Sequence, residues 1–126
     1  MKRHEITAFR KVMKDKIKKG EGAVLIDFAR HIPIKDFIFS CTSLNHYQRK
    51  SITLSVKMSK EQVGTFDKCN SVNVIFEDQA LSNFFEGIST HHLFVLEGDY
   101  AVFVWDTTNQ KIKEAYASLF EEPQEE

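Results

Sequence analysis

Seven side chains of this chain have the chemistry of metal ligands, nucleophiles or bases near neutral pH: His4, His31, His46, His91, His92, Cys41 and Cys69. Their spacing works against all three roles. Adjacent histidines in an extended segment point to opposite faces, so His91 and His92 cannot both hold one ion without distortion. Neither His-x-x-x-His nor Cys-x-x-Cys occurs, and a catalytic zinc would need an open coordination position as well. Cys41 lies in the middle of an apolar run, where a thiol is usually inert packing. Asp27, Asp36, Glu77, Asp78 and Asp106 are scattered at the ends of apolar runs, where carboxylates mostly cap helices and close turns. No Gly-rich phosphate loop, nucleophile elbow or dinucleotide fingerprint is present. The expectation is therefore no metal, no cofactor and no catalysis.

Two further constellations could bind rather than react. Arg10, Lys11, Lys14 and Lys18 form a basic stripe, joined by Lys2, Arg3, Lys16 and Lys19 and opposed nearby only by Glu5 and Asp15. Such a stripe can neutralise phosphates of RNA or DNA. It can equally be the solvated face of a docked helix, offset by Glu114, Glu121, Glu122, Glu125 and Glu126 at the other end of the chain. A surface for single strands would interleave exposed aromatics among the cations, and none is evident here. The second constellation is the polar segment 45–50, where His46, Tyr47, Arg49 and Lys50 mix aromatic and cationic side chains. Tyr and Arg are the types most enriched at protein-binding hot spots, so these four residues are the expected contact surface for a protein partner.

The elements that must position these groups follow from periodicity. Residues 3–19 place Ile6, Phe9, Met13 and Ile17 on one side of a helix that Gly20 ends. A strand is expected over 22–28, a connection over 30–35 around Pro33, and a second strand over 36–44. That strand sets Phe37, Phe39 and Cys41 against Ile38, Ser40 and Thr42. Strict alternation over 51–58 turns Ile52, Leu54, Val56 and Met58 inward and leaves Ser51, Thr53, Ser55 and Lys57 outward, which places the strand toward a wet sheet edge. Ser59 with Gln62 reads as a capping box opening a short helix. Val72, Val74 and Phe76 mark a strand, and Asp78 caps a helix carrying Leu81, Phe84, Phe85 and Ile88. Residues 92–106 form a hairpin about Gly98-Asp99. Both faces of that hairpin are apolar, so it should be central, covered on both sides by helices or by a partner subunit. Thr107 with Gln110 reads as a last capping box, before a helix with Ile112, Ala115, Tyr116, Leu119 and Phe120 inward.

The order is α-β-β-β-α-β-α-β-β-α: one α+β domain over 1–122, with a mostly antiparallel five- to six-stranded sheet and helices on both faces. Residues 123–126 are an acidic tail, expected to be disordered. This element order is loosely similar to profilin-like folds, among them the roadblock domains. The likeness is one of architecture, and a fold of that kind does not transmit a function.

Composition narrows the function class. The chain has 126 residues, 42% hydrophobic and 28% charged, which is long enough to bury a core without a metal or disulfide. The 17 basic and 18 acidic residues leave a net charge of −1, so no overall field steers a charged partner. The first twenty residues are basic without an apolar core and are not expected to act as a signal peptide, and no run approaches the roughly 20 apolar residues that span a bilayer. Two distant cysteines read as reduced thiols in a cytoplasmic protein. The leading expectation is a small soluble protein that works by protein–protein interaction, such as an inhibitor, immunity protein, antitoxin or adaptor, with a homodimer permitted. Nucleic-acid binding through the basic helix is the alternative. A small-molecule site under the hairpin mouth is a third class.

Overall fold

The computed structural model of the chain describes residues 3–27, 29–43, 49–88 and 92–120; the side chains of 3–5, 43, 87, 88, 92–94, 115, 116 and 118–120 are not among those it describes. The tail at 123–126 also lies outside the described residues. Helix α1 (Arg3–Lys19) is amphipathic as its sequence demands, with Phe9, Met13 and Ile17 fully buried. Gly20 closes it by donating its N–H to the Lys16 carbonyl at 2.7 Å.

The strands form two antiparallel sheets, and the helices flank them in an α+β arrangement around one core. The first sheet is β2-β1-β5, built from β1 (Gly22–Ile26), β2 (Arg30–Pro33) and β5 (Val72–Phe76). Strand β2 falls in the stretch expected to be only a connection. Its Ile32 sits opposite Val24 and is buried. Pro33 costs no ladder bond because β2 is an edge strand, which is where a proline is tolerated. Strand β1 ends earlier than expected, because Asp27 turns the chain with a φ of 50°. The Asp27 carboxylate accepts the backbone N–H groups of Asn70 and Ser71 at 3.0 and 3.1 Å, which offsets the strain of that conformation. Gly22 has no alternative: a Cβ there would lie 2.7 Å from the Phe76 ring.

The second sheet is β3-β4-β7-β6, from β3 (Phe37–Ser43), β4 (Arg49–Lys57), β6 (His92–Glu97) and β7 (Tyr100–Thr108). The hairpin register is the expected one, with Leu96 opposite Ala101, Val95 opposite Val102, Phe94 opposite Phe103 and Leu93 opposite Val104. Its turn has Gly98 at φ 60° and no positive φ at Asp99, the pattern of a type II′ turn. Two expectations are corrected. The hairpin is not central throughout, since β6 is the sheet edge, and β4 lies in the interior between β3 and β7. A wet face therefore belongs here to the sheet and not to an edge strand. In all there are seven described strands in two sheets, where five or six in one were expected.

Helix α2 (Lys60–Asp67) opens on the expected capping box: Gln62 N–H donates to Ser59 Oγ at 3.2 Å, and Ser59 N–H to Gln62 Oε1 at 2.9 Å. Asp78 caps α3 (Gln79–Ile88) by accepting the Leu81 N–H at 2.9 Å. At α4 (Asn109–Phe120) the cap is Thr108, which accepts the Lys111 N–H at 3.2 Å, and not Thr107. Thr107 is still a strand residue, paired with Lys50, and its side chain turns inward.

Ring contacts tie helices and sheets together. Phe9 of α1 lies 6.2 Å from Phe39 and 5.7 Å from Phe84, and Phe66 of α2 meets Phe103 edge-on at 6.2 Å. Phe85 of α3 stacks on Phe76 of the first sheet at 5.1 Å and reaches Trp105 of the second at 4.8 Å. Aromatic pairs of this geometry add about 0.5–1.5 kcal/mol each beyond the area they bury. No described helix is long and apolar enough to cross a membrane.

Candidate functional site

Of the expected contact residues, His46 and Tyr47 lie outside the described residues. Arg49 and Lys50 are consecutive in β4 and so point to opposite faces: Arg49 is exposed, whereas Lys50 is only 5% exposed, on the same side as Ile52 and Leu54. The pair is therefore not one patch. Lys50 and Arg10 both act on Cys41. Burial pushes that thiol's pKa up, and the two positive charges offset the rise only in part. Cys41 is thus a neutral packed thiol in the core and has the inert character its apolar setting indicates. The hydroxyl of Thr107, which pairs with Lys50, and the Asn109 Oδ1 are buried with no hydrogen-bond partner among the described residues.

The basic stripe divides in the same way. Lys11, Lys14 and Lys18 are exposed together along α1, while Arg10 is half-buried and its charge acts on Cys41. Lys18 and Lys19 line a cavity of about 540 Å³ with Glu21, His31 and Glu77. Sequence spacing paired none of the carboxylates, but the β1–β5 ladder places Gly22 opposite Phe76 and so brings Glu21 beside Glu77. Glu77 donates its backbone N–H to the Glu21 carbonyl at 3.0 Å. A side-chain hydrogen bond to Glu21, and that residue's charge, hold the Glu77 carboxyl above the usual carboxylate range. Among the described residues no three His, Cys, Asp or Glu side chains converge as a metal site.

The feature that pattern reading alone did not isolate is the outer face of the second sheet. Alternate residues of its strands face the core: Phe39, Cys41, Ile52, Leu54, Val56, Phe103 and Trp105 are all buried. The intervening residues form the opposite face. One rank across all four strands reads Ile38, Ser55, Val102 and Val95, with Ile38 55% and Val95 51% exposed at its two outer strands. The next rank brings Ser40, Thr53 and Val104 together. Charge is confined to the ends. At one end Lys57 stands beside Tyr100, which pairs with Glu97, and the Lys57 N–H donates to the Asp36 carbonyl at 2.9 Å. At the other end Asp106 pairs with Ser51, and Arg49 lies just beyond. Large aliphatic side chains left open on the outer strands of a sheet face, flanking a buried Val102 and with polar groups around them, are what interaction surfaces present.

Comparison with protein-family models, curated proteins and solved structures finds no match to this chain.

Proposed function

We propose that this chain is a small protein-binding domain of the inhibitor, immunity, antitoxin or adaptor type, cytoplasmic and without catalysis of its own. The contact surface we assign is the outer face of the β3-β4-β7-β6 sheet. The observation that carries the reading is the exposure of Ile38 and Val95 at the two ends of one rank whose middle is Ser55 and Val102. Arg49 is on that same face and supplies a cation of hot-spot type at its rim. In this reading Arg49, with Tyr47 of the neighbouring segment, contacts the partner, and Lys50 supports the sheet from the core side.

The test is quantitative affinity capture with the intact chain and with Ile38→Ser/Val95→Ser as baits. The expected result is that specific partners are lost with the variant while its circular dichroism is unchanged. Equal capture by both baits contradicts the reading. Replacing Tyr47 and Arg49 by Ala should weaken the same binding by a smaller factor.

A second reading has one observation in its favour: Lys11, Lys14 and Lys18 are exposed together on α1. Nucleic-acid binding through them requires an affinity that falls steeply with salt and is abolished by reversing the three to Glu.

A further inference from the structure

We infer that the free edge of β5 is a docking groove for an extended peptide segment of a partner protein, which adds to the three-stranded β2-β1-β5 sheet as a further strand. This edge is separate from the face assigned above. The phase of the β1–β5 ladder is the first argument. The Glu77 N–H donates to the Glu21 carbonyl at 3.0 Å and the Asp27 N–H to the Ser71 carbonyl at 2.9 Å, each one step beyond an end of the register. Bonded pairs alternate along an antiparallel ladder. Asn73 and Ile75 therefore also bond to β1, whereas Val74 and Phe76 turn their N–H and C=O groups away from it. β5 is the edge of its sheet, and among the described residues neither Val74 nor Phe76 has a hydrogen-bond partner on that side. Edge strands are commonly blunted by charge or proline, as β2 is by Arg30 and Pro33, and Val72–Phe76 carries neither.

The space beside that edge is the second argument. A cavity of about 400 Å³ is lined by residues 73–76 of β5 together with Phe85 and Glu86 of α3 and Trp105 of β7. Successive strand side chains point to opposite faces, so four in a row line one cavity only along the edge of the strand. Open peptide groups in a recess are complementary to another extended backbone. A residue laid opposite Val74 carries its side chain on the face that Val74 shares with buried Val24 and Phe76, where the rings of Phe85 and Trp105 receive an apolar group. The peptide is therefore apolar at every second position, and a Lys or Arg at one end meets the exposed Glu86. The recess selects a segment that stands free of its own fold. In a second copy β5 lies in the same recess, flanked by its own α3 and β7.

Random displayed peptides of about ten residues, long enough to run past the five residues of β5, are the probe, selected on the immobilised full chain. Selected peptides should share apolar residues at alternate positions and a cation near one end, and bind with a Kd of about 1–100 µM. Val74→Pro removes an outward N–H that β1 does not use, so it should weaken binding at least about tenfold with an unchanged circular dichroism spectrum. Should that variant not fold, the peptide decides the matter: N-methylation at alternate residues should abolish binding in one phase and be tolerated in the other, since only every second residue bonds to β5. Glu86→Lys should weaken binding several-fold, and less at high salt. Selection without an alternating pattern, undiminished binding by folded Val74→Pro, or equal tolerance of both methylation phases overturns the groove. Self-association of the full chain that Val74→Pro abolishes overturns the peptide as its occupant.

Discussion

Phe39, Leu54 and Phe103 stand in one rank across β3, β4 and β7, fully out of water. One residue along, on the other face of the same three strands, stand Ile38, Ser55 and Val102. The backbone ladders are shared, so they cannot explain the difference between the faces. What differs is the side-chain inventory. The core face is built from rings large enough to reach helices α1, α2 and α3, through the Phe9–Phe39, Phe66–Phe103 and Phe85–Trp105 contacts. The outer face is built from β-branched aliphatics and small hydroxyl side chains. These favour an extended backbone and leave a low, even surface. The first face holds the fold together, and the second leaves Ile38 and Val95 open at its outer strands.

That contrast breaks most visibly at Phe103. Truncating it to Ala removes a ring that contacts both Phe66 and Trp105, and should cost about 3–5 kcal/mol in denaturant unfolding. A cost under about 1 kcal/mol would deny that this face carries the stability. The two thiols sharpen the contrast. Cys41 is buried among core-face residues, while Cys69 is partly exposed and donates to the Phe66 carbonyl at 2.8 Å. Burial raises the pKa of both, so alkylation by iodoacetamide at neutral pH should be slow. Peptide mass spectrometry should find Cys69 modified well before Cys41, which waits on opening of the core. Equal rates would mean that the core face opens as readily as the surface.

On the outer face, Ile38→Ser with Val95→Ser should change dilute-solution stability by no more than about 0.5 kcal/mol per site, because exposed positions contribute little. The smallest effect is expected away from both faces, at Glu77. Its carboxyl binds a proton more tightly in the folded chain than its ordinary value of 4.5 implies, because Glu21 bonds to it and repels its charged form. The folded state is therefore favoured while Glu77 is protonated and loses that advantage as pH rises through the raised pKa. Glu77→Gln should raise the melting temperature slightly at about pH 7 and leave it unchanged at about pH 3. A lower melting temperature at neutral pH would contradict the pairing.

Much of this was legible in the chain itself. Period-two alternation named both half-faces correctly, with Ile38, Ser40 and Thr42 on one side of β3 and Ser51, Thr53 and Ser55 on one side of β4. Gly98 located the hairpin turn, and its register followed. What alternation cannot carry is strand order. Nothing local to β4 and β7 reveals that they are neighbours, so the wet side of β4 read as an edge instead of the middle of a four-stranded face. The same gap hid Glu21 beside Glu77, joined only by the β1–β5 ladder. Thr107 misled for another reason: Thr-Thr offers two capping hydroxyls, and the strand took the first into its pairing with Lys50. Arg49 and Lys50 looked like one patch because the segment read as a turn, and as a strand it separates them onto opposite faces.

The central claim, that the outer sheet face and not the basic helix is the working surface, is tested most directly by two variants in one binding assay. Ile38→Ser/Val95→Ser should lose partner capture, while Lys11→Glu/Lys14→Glu/Lys18→Glu should retain it with little dependence on salt. Loss of binding in the helix triple variant, with the sheet-face variant unimpaired, would contradict the account.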